Sequence, residues 1–229
     1  DVEYSDGEGG GYNCLICLEG NLTPGYQGIR AYEGAFYGDG NSYNLPTQNL
    51  YYSFEFQDPR REATCLNLDN FISINSPGST YSIGGGGHTG LFNNKYIKSR
   101  AEMSGLGDND LTSGVNYRVI RYADVLLMAA ESSNRLGFDT VALEYLNLVR
   151  SRVSLPLKTF QTNENLYEDI LKERRSELSC EGHRFFDLVR TGKAADVIPG
   201  FVIGKHELFP IPQDEIDLAG GNWSQNPGY

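Results

Sequence analysis

Three neighbouring side chains could exchange protons: Glu181, His183 and Asp187. A catalytic acid or base also needs a cleft and a reacting group beside it, and no nucleophile accompanies these three in the sequence. On a helix, Arg184 lies one turn after Glu181, and Asp187 lies one turn after His183, which is a spacing typical of ion pairs. We therefore predict a structural ion-pair network in residues 173–190 and not a catalytic site.

Two short motifs resemble cofactor or metal sites but lack the surroundings that such sites need. Residues 85–90 fit the G-x-G-x-x-G pattern of dinucleotide sites, yet no strand is predicted before them and no helix after them. Cys14 and Cys17 have C-x-x-C spacing, but no second pair completes a set of four metal ligands. Buried thiols or one structural disulfide are the favoured interpretations. We predict no cofactor and no metal site.

The most promising binding residues are aromatic side chains in the loop of residues 25–44. Exposed aromatic rings beside side chains that form hydrogen bonds are typical of ligand sites. The glycines of this loop allow the backbone to bring such rings together. The alternative is that many of these rings fill the interface between loops and helices. The predicted ligand-binding residues are Tyr26, Arg30, Tyr32, Tyr37 and Tyr43.

The composition divides the chain into two parts. Residues 1–117 contain 19 of the 27 glycines and 11 of the 15 tyrosines. We expect a loop-rich aromatic segment there, the candidate ligand-binding region, with short strands such as Phe71–Ile74 and a short helix over Leu45–Phe56. Residues 118–229 are expected to be helical.

Charge and hydropathy restrict the class of partner. The net charge is −11 and the sequence pI is about 4.7, which argues against a nucleic-acid partner held by bulk electrostatics. No run of 18 apolar residues is present, so no segment of this sequence is expected to span a bilayer.

The helical part begins with a pattern typical of a helical hairpin. Gly137 offers the left-handed residue that ends a first helix, and Asp139 or Thr140 can cap a second. Residues 119–152 span 34 positions, which is the period of tetratricopeptide (TPR) repeats. One repeat cannot bury its apolar faces alone. We therefore expect either that partner repeats lie outside this sequence or that the glycine-rich half packs over the exposed face of the hairpin. The predicted apolar stripe of the first helix is Tyr122, Val125, Leu126, Ala129 and Ala130.

A further long helix is predicted over residues 164–190. Thr162 or Asn163 can serve as its N-cap. Gly182 costs about 1 kcal/mol relative to alanine inside a helix, so we expect a break near this residue.

Several segments, in order along the chain, resemble the SusD/RagB family. The family's most recognisable stretch is similar to residues 170–188, which contain Glu181-Gly182-His183-Arg184. Cys180 stands where the family has a small or apolar residue, and we interpret it as helix core. The other similar segments are Pro46–Gln48, Asp58–Arg60, Arg121–Glu131, Phe209–Ile216 and Gln225–Tyr229.

The resemblance implies a mainly α fold of TPR-like helical hairpins with a large loop-rich, short-strand segment. It also implies a cell-surface lipoprotein of the outer membrane that captures oligosaccharides, or in some branches peptides. The captured ligand would be imported through a partner TonB-dependent SusC-like transporter, and the protein would not be an enzyme. The lone hairpin leaves a peptide-binding or scaffold TPR-type module as an alternative. The lipid anchor and the N-terminal repeats are expected in a part of the protein outside this sequence.

Overall fold

A computed structural model describes residues 23–83, 88–102 and 115–229 of the chain. The Cys14–Cys17 pair and part of the glycine motif at residues 85–90 lie outside the described residues. The chain divides into two compact units, residues 1–181 and 182–229. This boundary, after residue 181, differs from the one predicted from composition, after residue 117. The compositional division into two parts stays a prediction. Within the described ranges, no helix is both long and apolar enough to cross a membrane.

The described part of the first unit begins with short helices and a small sheet, and it continues with longer helices. The two strands are antiparallel, with Cys65 opposite Asn93. The elements are α1 Thr23–Gln27, α2 Gln48–Tyr51, α3 Arg60–Thr64, β1 Cys65–Asn67, α4 Leu68–Asn75, β2 Leu91–Asn93, a 3₁₀ turn at Arg100–Glu102, α5 Tyr122–Arg135, α6 Asp139–Arg152 and α7 Asn163–Glu177.

Helices α5 and α6 form the predicted hairpin, and α7 packs against both. Gly137 has φ +81°, and the amide of Phe138 donates to the Ser133 carbonyl at 2.8 Å, which closes the end of α5. The hydroxyl of Thr162 caps α7 by accepting the Asn165 amide, as predicted. The core between these helices comprises Leu126, Leu127, Ala130, Ala142, Leu146, Val149, Leu166 and Ile170.

The predicted apolar stripe of α5 is wrong in part. Tyr122 is 73% exposed and Val125 is 44% exposed, whereas Leu127 and Asp124 are buried. The Asp124 carboxylate accepts a hydrogen bond of 2.9 Å from buried Arg174 on α7. Because this ion pair compensates the charge of Asp124, the face of α5 that carries Asp124 can pack against α7. Hydropathy alone does not predict that a charged residue lies on the buried face.

Two predictions for the glycine-rich half also need correction. The strand predicted at Phe71–Ile74 is wrong, because these residues lie in α4, which begins where the Asn67 side chain accepts the Asn70 amide. The helix predicted over Leu45–Phe56 is limited to α2, capped by Thr47. A second core packs α4 and the sheet against the preceding loop, and its buried members are Ile29, Tyr32, Leu66, Leu68, Phe92 and Ile97.

The segment predicted as one long helix over residues 164–190 forms two helices, α7 and α8 (Arg184–Arg190). The break lies near Gly182, as expected, where Gly182 has φ +87°. Cys180 has φ +64°, so its interpretation as helix core is wrong. Its carbonyl oxygen instead accepts hydrogen bonds from the side chains of Asn44 and Asn93 at 3.2 Å each.

The second unit contains α8, α9 (Ala194–Val197) and α10 (Gln213–Leu218). The two halves of the C-terminal signature bind each other. The Gln225 side chain donates to the Ile211 carbonyl and accepts from the Ile211 amide, both at 2.8 Å. Asn226 likewise donates to the Phe209 carbonyl at 2.7 Å. These residue types therefore hold the end of the chain by pairing side-chain amides with backbone groups.

Candidate functional site

The tyrosine-rich loop folds back on itself through backbone hydrogen bonds between residues 25–29 and residues 40–43. In all four bonds the amide belongs to residues 40–43 and the carbonyl oxygen to residues 25–29, and the lengths are 2.8 to 2.9 Å. The donor and acceptor pairs are Gly40 to Ile29, Asn41 to Gly25, Ser42 to Gly28 and Tyr43 to Tyr26. The arrangement fixes the spacing of the side chains that the two segments carry.

Two glycines permit this close approach. A Cβ atom added to Gly40 would lie 2.5 Å from the Cα atom of Gly28, which is too close for any side chain. One added to Gly28 would lie 3.2 Å from the Cα atom of Gly40, which is tighter than an ordinary contact. The glycine content noted in the sequence therefore has a specific use at these two positions, which is to let the segments touch.

Tyr26 and Tyr43 stack as a consequence of this pairing. Their ring centroids are 6.1 Å apart and their planes differ by 24°. Tyr26 is 39% exposed and Tyr43 is 57% exposed, so the pair presents aromatic surface to solvent. We call these two residues the tyrosine pair. Exposed aromatic faces of this kind suit the apolar face of a sugar ring.

Polar side chains brace the loop that carries the tyrosine pair. The Arg30 guanidinium donates to the Asn41 carbonyl at 2.8 Å, and the Arg30 amide donates to the Ser42 hydroxyl at 2.9 Å. The Asp39 carboxylate accepts the amides of Ala31 and Gly40. These contacts brace the loop and place Arg30, one of the predicted site residues, beside the segment that carries Tyr43.

The other two predicted tyrosines lie in the core. Tyr32 is only 3% exposed, and its ring packs edge-on against Tyr37 at 5.5 Å. Tyr37 also contacts Phe71 at 5.2 Å, and burial together with neighbouring Tyr32 raises its pKa to about 12. A sugar cannot reach the face of Tyr32 without opening the core. The structure therefore separates the five predicted residues: Tyr26 and Tyr43 are exposed, Arg30 and Tyr37 are partly buried, and Tyr32 is buried.

Glu181, one of the three side chains that could exchange protons, is held in ion pairs. It is 5% exposed and accepts hydrogen bonds from Arg121 and Lys95. Burial would raise the pKa of Glu181, but the hydrogen bond from Arg121 and the charge of Lys95 outweigh burial and lower it. A carboxylate that stays ionised and fully paired is a poor proton donor. The predicted structural role is therefore supported. The partners of Glu181 are Arg121 and Lys95, however, and not Arg184, which lies one turn further along the chain.

The ion-pair network extends along α7 through Glu177 and Glu173. Glu177 accepts from Arg60, Arg121 and Arg152, and Glu173 accepts from Arg60 and Arg150. Burial would raise the pKa of Glu177, but hydrogen bonds from Arg121 and Arg60 lower it to about 2. The cations come from segments distant in sequence.

Three of the family-like segments meet in this network. Asp58–Arg60 provides Arg60, Arg121–Glu131 provides Arg121, and residues 170–188 provide the carboxylates. Among the described residues, no group of three or more His, Cys, Asp or Glu side chains is arranged to hold a metal ion. In the second unit, Asp187 pairs with Arg190 at 2.7 Å.

Comparison with known proteins identifies the relatives of this chain. The SusD family matches residues 21–200. SusD-like protein P2 of Formosa agariphila is 29% identical over 227 residues, which cover 88% of this chain and 43% of that protein. A solved laminarin-binding SusD-like protein is 36% identical with a TM-score of 0.83, and the match covers 100% of this chain and 49% of that one.

Surface glycan-binding protein A from Bacteroides thetaiotaomicron, solved in complex with laminarihexaose, is 30% identical with a TM-score of 0.75. That match covers 91% of this chain and 47% of the solved chain. The present chain thus spans less than half the length of the P2 relative and about half that of the solved structures. The resemblance found in the sequence and the mainly helical, TPR-like fold are confirmed, and the chain belongs to the SusD family.

Proposed function

We propose that this protein captures oligosaccharides at the cell surface for import through a partner TonB-dependent SusC-like transporter. The observation that carries the proposal is the tyrosine pair, two stacked and exposed rings on a braced loop. Aromatic rings beside hydrogen-bonding side chains are the usual means of holding a sugar. Family membership supports a binding role without chemical conversion of the ligand.

The first ligand to test is a laminarin-type oligosaccharide. The solved relative that covers the whole of this chain is a laminarin-binding protein, and another was solved with laminarihexaose. These two relatives share 36% and 30% of aligned residues with this chain, so a related ligand is the natural starting point. A lipid anchor on the outer membrane, carried by another part of the protein, would place the tyrosine pair at the cell surface.

Isothermal titration with laminarihexaose tests the proposal. We expect the 229-residue chain to bind, and we expect Tyr26→Ala and Tyr43→Ala each to weaken binding about fivefold or more, since a central aromatic contact contributes more than about 1 kcal/mol. Tyr122→Ala is the matched control, because this tyrosine is 73% exposed on α5, outside the loop. Unchanged affinity in both loop variants would refute the role of the tyrosine pair.

A partner transporter is tested separately. The full-length protein, tagged and purified from outer membranes in mild detergent, should retain a TonB-dependent transporter that mass spectrometry identifies. Absence of such a protein after crosslinking would contradict the import role and leave glycan capture untouched.

The alternative of a peptide-binding or scaffold module rests on a different surface. Helix α5 exposes Tyr122, Val125 and Met128, which recur at helical spacing on one face. An apolar stripe of this kind is typical of a helix that receives another segment. In this case Val125→Asp, and not Tyr43→Ala, would abolish binding of the partner peptide.

A further inference from the structure

The first unit contains two adjoining cavities along α7, and neither Tyr26 nor Tyr43 lines them. The larger has a volume of about 280 Å³ and the smaller about 100 Å³. Lys158, Asp169 and Lys172 line both, so the two cavities share a wall. The smaller one has room for a compact polyatomic group, since a water molecule occupies about 30 Å³.

The carboxylates that line the smaller cavity already have cationic partners. Glu55 accepts from Arg150 at 2.8 and 3.0 Å, and Glu173 accepts from the same guanidinium at 2.7 Å. Asp169 pairs with Lys158 at 3.1 Å. These acids therefore leave no charge for a cationic ligand to neutralise.

Two cations on the same wall are not neutralised in this way. Arg175 is half-buried, and its guanidinium donates to the neutral Asn49 side chain at 2.5 Å. Burial lowers the pKa of Arg175, and no opposing effect of a carboxylate accompanies it. In the part of the chain that the structure describes, neither Arg175 nor Lys172 forms an ion pair with a carboxylate. A half-buried guanidinium without a counter-charge is costly, and an anion at this position would remove that cost.

The larger cavity suits a neutral polar group attached to such an anion. Its lining is mostly polar: Thr159, Gln161 and Asn165 supply neutral groups, and two lysines, Lys158 and Lys172, accompany two carboxylates, Glu168 and Asp169. Hydroxyl and amide groups of this kind exchange hydrogen bonds with sugar hydroxyls. Its volume lies near the lower limit of about 300 Å³ for ligand clefts, which is compatible with a single sugar ring.

We propose that these cavities bind an acidic sugar, with its oxyanion paired to Arg175 and Lys172 in the smaller cavity and its ring in the larger. The oxyanion is a carboxylate, as in a uronic acid, or a sulfate, as in a sulfated sugar. The planar guanidinium suits bidentate binding of either group. Neither tyrosine lines these cavities, so the protein would have two sites: the tyrosine pair for neutral sugars and the cavities for sugars with a negative charge.

Titration of the 229-residue chain by NMR, with the arginine side-chain Nε–H signals observed, tests the proposal. The probes are glucuronic acid, glucose 6-sulfate, sodium sulfate and glucose. We expect one or both acidic sugars to shift the Arg175 signal, identified by its loss in Arg175→Gln, and glucose to leave the Arg175 signal unchanged. Arg175→Gln should weaken acidic-sugar binding about tenfold, because hydrogen bonds to charged groups contribute about 1.5–3 kcal/mol. Lys172→Gln should weaken it less, since this lysine is exposed.

The matched control is Arg100→Gln, which removes one exposed cation outside the cavities and should leave affinity unchanged. Should Arg175→Gln fail to fold, Arg175→Lys keeps the charge, loses the planar fork and should show a partial loss. Affinity equal in Arg175→Gln and the parent overturns the proposal. Binding of sodium sulfate as tight as that of both acidic sugars overturns the sugar part of it.

Discussion

The backbone amide of Tyr43 donates a 2.8 Å hydrogen bond to the carbonyl oxygen of Tyr26, and the same two residues stack their rings. The bond and the stacking are linked, because paired backbones set the distance between the two side chains. The exposed aromatic surface is thus a product of how closely two loop segments approach.

Gly40→Ala should disturb the tyrosine pair without touching either ring. The added methyl would lie 2.5 Å from the Gly28 Cα atom, so the segments must separate. We expect a loss of about 1–3 kcal/mol in the free energy of unfolding, together with weaker laminarihexaose binding. Gly78→Ala is the control: it meets no atom within 4 Å but is strained at φ +93°, so it should lower stability and leave affinity unchanged. Equal affinity in both variants would contradict the link.

Tyr32→Ala should act on stability and leave the ligand site intact. The side chain is buried in the core that contains Leu66 and Phe92, so its removal leaves a cavity. We expect a loss of about 3–5 kcal/mol, by analogy with other large aromatic truncations in cores. Urea denaturation measures the loss. A folded Tyr32→Ala protein with tenfold weaker oligosaccharide binding would restore Tyr32 to the ligand site.

Glu177→Gln should destabilise the first unit strongly. The substitution removes one carboxylate from Arg60 and from Arg121, which keep Glu173 and Glu181 as partners. Because hydrogen bonds to charged groups contribute about 1.5–3 kcal/mol each, we expect a loss of at least about 2 kcal/mol. Glu144→Gln is the control, because Glu144 is exposed on α6. Thermal unfolding of both variants gives the comparison. Similar melting temperatures for Glu177→Gln and the parent would show that the network contributes little net stability.

The network also predicts how stability depends on pH. The pKa of Glu177 falls from 4.5 to about 2 on folding, since its ion pairs outweigh its burial. A carboxylate with a lowered pKa stabilises the fold above its unfolded pKa, and this contribution is lost as the pH falls through the folded pKa. We therefore expect unfolding free energy to decline from about pH 4.5 towards pH 2. Denaturation at several pH values should show a shallower decline in Glu177→Gln.

Binding of a neutral oligosaccharide should be nearly independent of salt. Stacking on the tyrosine pair involves no counterions, so raising sodium chloride from 50 to about 500 mM should leave the affinity for laminarihexaose within about twofold. Isothermal titration at the two salt concentrations measures this. A steep fall in affinity would indicate that an anionic glycan is the ligand and that Arg30 contacts it.

Local features of the fold could be predicted from the sequence. The turn after α5 is encoded by Gly137 and the start of α7 by Thr162, and both act on residues close to them in the chain. The apolar stripe of α5 was less predictable, because Asp124 is buried only through its pairing with Arg174, 50 residues away. Such a partner has no signature in a window of neighbouring residues.

The same limit applies to the site. Tyr32 and Tyr43 have the same side chain and lie in the same glycine-rich loop, yet one is 3% exposed and the other 57%. What separates them is that Tyr32 belongs to the core with Leu66 and Phe92 of the two strands, which are formed by later residues. The sequence therefore indicated the loop and the residue type, but tertiary packing decides which rings face solvent.

The ion-pair network has a consequence for synthesis on the ribosome. Arg60 and Arg121 precede their partner Glu177 by 117 and 56 residues. Because the ribosome adds about 5–20 residues per second, Glu177 is synthesised roughly 6–23 s after Arg60. During this interval neither arginine can be buried in its final place, so the nascent first unit remains open to chaperones until α7 emerges.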